Sequence, residues 1–302
     1  MKRLIVTGAG GFIGRILVDQ AAAAGIEVLA LGRSLPADGL RPGVRWHQCD
    51  VWNPATYDHE ITDFQPEALV HLAWYAEPGL YLHSPLNLEA HAGSLRLLQT
   101  SLAAGCRTLI GAGTCAEFDA RSGYLRNESP TAPSTLYAAC KLSLKGIGEQ
   151  LCAQAGASWA WGRIFYLYGP GEDRRRAVPA LISNLLANRP FPATDGMQIR
   201  DYLHVADVAA GFLTLACSGA SGTFNICSGT PTTMRALFQQ VAGLTGGIDL
   251  VQFGQRKSND WDPPFICGDP SALHGLGWSP VHDLESGLQD TLRWWRHQLA
   301  GG

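Results

Sequence analysis

The 302 residues suffice for one large α/β domain, or for such a domain with a smaller lobe, and 46% hydrophobic against 16% charged residues leaves material for a sizeable core. A net charge of −3 and the absence of any long basic run argue against a nucleic-acid or membrane-surface role. The eight cysteines are scattered with no Cys-x-x-Cys pair, the pattern of reduced buried thiols in a cytoplasmic protein, and no metal site is expected.

Residues 2–7 read as a short apolar strand. Its apolar part is too short for a signal-peptide core, and no run elsewhere is long enough to span a bilayer. The strand runs into Gly8-Ala9-Gly10-Gly11-Phe12-Ile13-Gly14, and a helical pattern follows through Ala24. Strand, glycine turn and helix start form the setting of a dinucleotide fingerprint. Gly8 permits the tight turn, Gly11 lets a pyrophosphate approach the backbone, and Gly14 lets helix pack on strand. The helix N-terminus then faces the phosphates. A second strand, 26–31, ends in Gly32-Arg33-Ser34. An NAD site usually places an acid near this point for the ribose hydroxyls. None is present, and Arg33 stands ready for a 2′-phosphate. NADP is therefore expected, with NAD as the alternative.

A third strand, 44–49, ends at Asp50-Val51, where an adenine edge would be met. A fourth, 68–72, leaves His71-Leu72-Ala73-Trp74 at its carboxyl end, where ligands sit in such sheets. His71 itself reads as structural. Helical periodicity over 86–104 precedes a fifth strand, 107–111, with Thr114 following it. A long helix, 135–155, takes Ser134 as its N-cap, and a sixth strand covers 158–165. Strands alternating with helices imply a Rossmann-type doubly wound parallel sheet over residues 1–165. The character changes after Phe165. A turn at Tyr168-Gly169-Pro170-Gly171 and a charge cluster at Arg174-Arg175-Arg176 come first. A helix (178–187), a strand (200–204), a helix (205–217), a strand (223–226) and helices at 230–244 and 284–299 follow. These pieces read as a smaller C-terminal substrate lobe, 166–302, over the carboxyl end of the sheet, with 202–226 packing back on the first domain.

Tyr137 and Lys141 are four residues apart and share one helix face. The Lys charge is expected to favour phenolate and so to lower a Tyr pKa that is about 10 when free. A Tyr tuned this way gives or takes a proton near neutral pH. Thr114 would donate its hydroxyl to the same carbonyl oxygen. The set suits reversible hydride transfer at a C–O carbon beside a nicotinamide.

Along nearly its whole length the chain resembles the extended short-chain dehydrogenase/reductase family, in its nucleotide-sugar epimerase/dehydratase group. The resemblance rests on Thr7-Gly8-x-x-Gly11-x-x-Gly14, His71-Leu72-Ala73, Asn87, Thr114, Tyr137-x-x-x-Lys141 and Tyr168-Gly169-Pro170-Gly171. It continues through Arg200-Asp201-Tyr202-Leu203-His204-Val205-x-Asp207-Val208, Gly222-Thr223-Phe224-Asn225-Ile226 and Leu276-Gly277-Trp278-Ser279-Pro280. It implies that Tyr137 is the acid/base, that Lys141 holds the nicotinamide ribose and that Thr114 binds the reacting oxygen. The cofactor set it implies is Gly8, Gly11, Phe12, Ile13, Gly14, Arg33, Asp50, Val51, Leu72, Ala73, Trp74 and Phe165, with Tyr137 and Lys141. Arg200 matches the position that contacts the substrate diphosphate. Tyr166, Arg176 and Arg256 complete the substrate set, although Arg256-Lys257-Ser258-Asn259-Asp260 lacks the usual Arg-Pro-Gly and a solvated loop Arg is the competing reading.

Three departures shape the expected activity. Cys115-Ala116 follow Thr114 where dehydratases carry an acidic pair, so 4,6-dehydration is disfavoured, and Glu117 is shifted. Tyr166 stands where many relatives have Asn. No acid occupies position 32. The leading expectation is an NADP(H)-dependent ketoreductase acting on a nucleotide-diphosphate keto sugar. The alternative is a 4-epimerase that keeps its NAD bound. Reduction of a non-sugar carbonyl and a non-catalytic dinucleotide-sensing regulator rank below both. The resemblance also implies a homodimer through the long helices at 86–104 and 135–155.

Overall fold

The computed structural model describes residues 1–35, 39–259 and 262–300. Asp260 and residues 301–302 of the expected lobe lie outside them. The alternation of the first strand, β1 (Arg3–Thr7), divides the larger core in two. Leu4 and Val6 face one apolar cluster and Ile5 the other, because successive side chains of a strand point to opposite faces. The turn after β1 leads into α1 (Gly14–Ala23) and then β2 (Glu27–Gly32) and β3 (Val44–Gln48). Next come α2 (Asp58–Phe64), β4 (Ala68–His71), α3 (Leu86–Ala103) and β5 (Thr108–Thr114). The short β6 (Tyr124–Leu125) precedes α4 (Leu136–Gln154) and β7 (Ser158–Ile164).

The chain then alternates between two sheets. β8 (Tyr166–Tyr168), α5 (Ala177–Leu186), β9 (Phe191–Pro192) and β10 (Ile199–His204) leave the first sheet. α6 (Val205–Ser218) and β11 (Gly222–Ile226) return to it. β12 (Pro231–Thr233), α7 (Met234–Thr245), β13 (Val251–Gln252), β14 (Phe265–Gly268), α8 (Ser271–His274) and α9 (Leu284–Ala300) complete the chain.

Seven parallel strands form the main sheet in the order β11-β7-β5-β4-β1-β2-β3. The order reverses between β1 and β4, so a crevice opens at the carboxyl ends of those strands. α1 and α6 cover one face with Leu17, Val208 and Phe212, and α2, α3 and α4 cover the other with Ile61, Leu97 and Leu144. A second sheet, β12-β10-β14-β6 with β8 beside β10, carries the smaller lobe. The lobe has its own core of Val178, Leu181, Phe238, Leu288 and Trp295 from α5, α7 and α9.

Some local expectations change. Thr114 is the last residue of β5, paired with Ile164, rather than lying beyond the strand. Thr135, not Ser134, caps α4, and its side chain accepts from the Ala138 N–H. The helix expected from residue 230 begins at Met234, because Pro231–Thr233 pair with β10 as an edge strand and Thr233 supplies the cap. β-Branched threonines favour that pairing.

The turn after β1 shows why two glycines are required. Gly8 has φ +65°, and a Cβ there would stand 2.9 Å from the Ala73 nitrogen. A Cβ on Gly14 would overlap the Gly8 carbonyl oxygen. Gly14→Ala is expected to unfold the turn or destroy dinucleotide binding, because backbone rather than a flexible side chain blocks the methyl. Gly25→Ala, with φ +76° but open space around it, is expected to cost only about 1–2 kcal/mol. Urea denaturation of the two variants checks this, and a Gly14→Ala protein as stable as wild type would contradict it.

Candidate active site

The carboxyl end of β5 delivers Thr114, and the first two turns of α4 deliver Tyr137 and Lys141. The Thr114 hydroxyl lies beside the Tyr137 phenol, close enough to oppose the rise of its pKa. Tyr137 also donates its N–H to Leu82 O at 3.0 Å, and its ring meets the Tyr81 ring edge-on at 4.9 Å. Arg176 lies over Tyr81, 5.4 Å from the ring centroid, so this arginine reaches the catalytic corner through one aromatic ring.

Lys141 is buried. Its Nζ donates to Ala112 O at 2.8 Å and sits 3.9 Å from the centroid of the Trp74 indole. Trp74 is held in turn by Asn87, which accepts from its Nε1 at 2.8 Å and donates to Tyr81 O and Ser84 O. Asn87 thus fixes both the indole over the ammonium and the Tyr81 segment beside the phenol.

The expected electrostatics are corrected here. Burial is the largest influence on Tyr137 and pushes its phenol up, with Tyr81 adding to the rise and the Thr114 hydroxyl working against it. The Lys141 ammonium is 5.9 Å from the Tyr137 ring centroid and is directed at the Trp74 face and the Ala112 carbonyl. Lys141 itself is pulled down to about 7 by burial, with Glu117 opposing the fall. As it stands the corner holds a phenol beside a lysine that changes charge near neutrality.

Glu117 is fully buried and satisfied. It accepts from Trp161 Nε1 at 3.0 Å, from Arg163 Nε at 2.8 Å and from the Thr114 N–H at 2.9 Å. With the Ala116 N–H donating to Thr114 Oγ1, the two residues form a capping box on a 3-10 turn, Cys115–Glu117. Glu117 therefore braces Thr114. His71 is also structural. Its Nε2 faces Ser94 Oγ at 2.8 Å and its Nδ1 faces Thr7 Oγ1 at 2.7 Å. Ser94 already donates to Ala90 O, which assigns the ring proton to Nε2. Burial, and then the Lys141 charge, hold His71 down at about 3, so it stays neutral.

The expected cofactor residues divide into two groups. Gly8, Leu72 and Ala73 meet directly, and the Ala73 N–H donates to Thr7 Oγ1 at 3.2 Å. Ile13 is the α1 N-cap without a side-chain hydrogen bond, Phe12 is half-buried and Gly11 exposed, so the helix start is open to an anion. Arg33 is exposed at the end of β2. Asp50 is exposed and accepts from the Trp52 N–H, and Val51 is buried beside it. The Phe165 ring is in a core cluster with Phe118, Leu125 and Ile266.

On the lobe side, Arg200 is buried and pairs with Asp262 at 2.5 Å, its guanidinium 5.2 Å from the Tyr166 ring centroid. The sequence reading missed Asp262. Its signal was a carboxylate three residues before the strand that pairs with Arg200, ahead of a Pro-Pro step. Asp201 is engaged elsewhere, accepting from the N–H groups of Ser228, Gly229 and Gly268. Among the described residues, Arg256 makes no contact with Arg200. It is exposed on a loop whose backbone bonds Ala193 O.

A seven-strand Rossmann sheet with a Thr-Tyr-Lys corner at its carboxyl end defines an extended short-chain dehydrogenase/reductase, an enzyme fold. The family model for the NAD dependent epimerase/dehydratase family matches residues 4–227, and the chain belongs to that family. The UDP-glucose 4-epimerase of Azospirillum brasilense is 26% identical, with 98% of this chain and 92% of the relative covered. A UDP-glucose 4-epimerase of Thermus thermophilus, solved with NAD, superposes with a TM-score of 0.86 at 24% identity over 97% of this chain and 99% of that one. Another from Thermotoga maritima, solved with UDP-glucose, gives 0.88 at 24% identity over 98% and 99%. The relatives reported are named as UDP-glucose 4-epimerases, and the cofactor named with one of them is NAD, not the NADP expected from Arg33. Among the described residues, no helix is long and apolar enough to cross a membrane.

The low pKa of Lys141 generates a stability prediction. Its folded value lies below the unfolded one, so between pH 7 and 10.5 the unfolded chain binds more protons and wild-type stability rises with pH. Below about 7 both states are protonated and the full cost of burying the ammonium is present. Lys141→Met removes that titration. Urea denaturation at several pH values is expected to show the variant's advantage shrinking as pH rises, by at most about 1.4 kcal/mol per pH unit. A pH-independent difference would overturn the assignment.

Proposed function

We propose that the protein is an NAD-dependent 4-epimerase of a UDP-linked sugar. The observation that carries this reading is the meeting of Thr114 and Tyr137 at the end of β5, with Lys141 one helical turn on. Full-length similarity to UDP-glucose 4-epimerases supports it. The residues present fit a dinucleotide: Gly8 and Gly14 leave a bare turn, α1 begins uncapped, and Lys141 stands behind Tyr137. A bound nicotinamide supplies the hydride acceptor for oxidation at the sugar carbon and the donor for the return step.

This chain's residues do the rest. Tyr137 as phenolate takes the hydroxyl proton as the hydride leaves carbon, and as phenol gives it back to the keto oxygen. Thr114 donates its hydroxyl to the same oxygen. Lys141 holds the nicotinamide ribose. Arg200, seated by Asp262 and Tyr166, and Arg176 meet the diphosphate. Glu117 is already occupied by Thr114, Trp161 and Arg163, so it is not free to act as the acid of a 4,6-dehydratase. Exposed Leu88 on α3 and Ile147 on α4 support a homodimer through those helices.

A ketoreductase that releases NADP is the second reading. Two observations favour it: no acid stands at position 32 beside Arg33, and burial holds Tyr137 as a phenol, the proton-donating form. Mass spectrometry of the nucleotide released from purified protein separates the two. Tightly held NAD is expected, whereas empty protein that takes up NADPH would replace the epimerase reading with the reductase.

The chemistry is tested independently. Tyr137→Phe is expected to keep its fold and UDP affinity while turnover of UDP-glucose falls by about a hundredfold or more. Thr114→Ser is expected to be mild and Thr114→Ala intermediate. Arg200→Lys keeps charge but loses the planar fork, and calorimetry with UDP is expected to show affinity weakened by about tenfold. Near-normal turnover by Tyr137→Phe would remove the central assignment.

A further inference from the structure

Position 32 lacks an acid, and the structure shows what occupies that space. The glycine turn is tied to the end of β2 by the Ala9 N–H donating to Leu31 O at 3.2 Å. Gly10 and Gly32 are thereby brought side by side. Trp46, from the neighbouring β3, lays its indole against both. A Cβ on Gly32 would lie 2.7 Å from Cζ2 and 2.9 Å from Cη2 of that ring, and a Cβ on Gly10 would lie 3.3 Å from Cη2. Such distances to position 32 leave no room for any side chain unless the indole moves. The ring is partly buried and packed against the α1–α6 core. Its Nε1 is buried with no hydrogen-bond partner among the described residues.

We propose that Trp46 removes the usual discrimination against a 2′-phosphate, because its indole fills the space where a ribose-binding carboxylate at position 32 would stand. The inference rests on the reading of this crevice as a dinucleotide site. The adenosine ribose is then met by the indole edge and Arg33, neither of which rejects a 2′-phosphate as a carboxylate does by charge repulsion and loss of a hydroxyl donor. Positions 32 and 46 form one coupled unit, and neither is read correctly alone.

The test is a double-mutant cycle on purified, cofactor-free protein, with NADH and NADPH as the probes and two readouts, calorimetric affinity and thermal midpoint. Wild type is expected to bind both with affinities within about tenfold of each other. Gly32→Asp alone is expected to lower the midpoint and to weaken both cofactors. In the Trp46→Ala background the same Asp is expected to be tolerated and to weaken NADPH relative to NADH by about tenfold or more, with coupling of similar size between the sites. If Trp46→Ala itself does not fold, Trp46→Phe with Gly32→Ser supplies the same cycle. A stable, NADH-selective Gly32→Asp single variant would overturn the proposal. So would a double variant with the wild-type preference, or a wild type that already prefers NADH by well over about tenfold. A wild type that binds neither cofactor would instead remove the dinucleotide reading, and this inference with it.

Discussion

The site depends on one buried carboxylate. Glu117 is fully enclosed, and an isolated charge there would be expensive, so every lone pair must be answered. Trp161 and Arg163 reach it from β7, and the Thr114 N–H reaches it from the end of β5. Arg163 passes the connection on by donating to Asn127 O, and Asn127 Oδ1 accepts from Asn225 of β11. Three adjacent strands are therefore pinned at their carboxyl ends by one polar network. Gly113 is part of it, because a Cβ there would overlap the Trp161 Nε1 that bonds Glu117. The Thr114 hydroxyl is held by the sheet's own framework, which restricts its position in advance of any ligand.

Two tryptophans then do work that a list of motif residues would not assign to them. Trp74 covers the Lys141 ammonium, and Trp46 covers Gly32. Each contact is between a rigid ring and a position that sequence reasoning treats as open: a lysine free to tune a neighbour, and a glycine merely lacking an acid. The lysine consequently spends its charge on an indole face and a backbone carbonyl, and burial decides the Tyr137 equilibrium instead.

Much of the fold was legible because its strongest signals are local. Apolar strands followed by Gly8-x-x-Gly11-x-x-Gly14, and by helices of clear period, leave few arrangements other than a parallel doubly wound sheet. The corner of Thr114, Tyr137 and Lys141 was legible for the same reason, since a strand end and one helical turn fix all three. What was not legible depends on contacts distant in sequence. The Arg200–Asp262 pair spans 62 residues, and nothing local to Arg200 distinguishes Asp262 from Asp201 as its partner. The packing of the Phe165 ring was not legible either, because its place on a strand end does not reveal which way the ring turns. The edge strand Pro231–Thr233 was read as part of a helix because its pairing partner is β10, not a sequence neighbour.

The chain's path between its two sheets has a consequence for how the enzyme can be taken apart. It leaves the seven-strand sheet after β7, contributes β8 and β10 to the smaller sheet, comes back to lay α6 on α1 and to add β11, and leaves again for β12. No single cut separates the two bodies. A fragment ending at Ile164 would expose the edge of β7 and strip the Val208–Phe212 surface from one face of the sheet. Exchanging the smaller lobe for another would require three splice points, with 205–226 left in place. The smaller lobe is in effect threaded through the seven-strand body, and neither is inherited as a free-standing module.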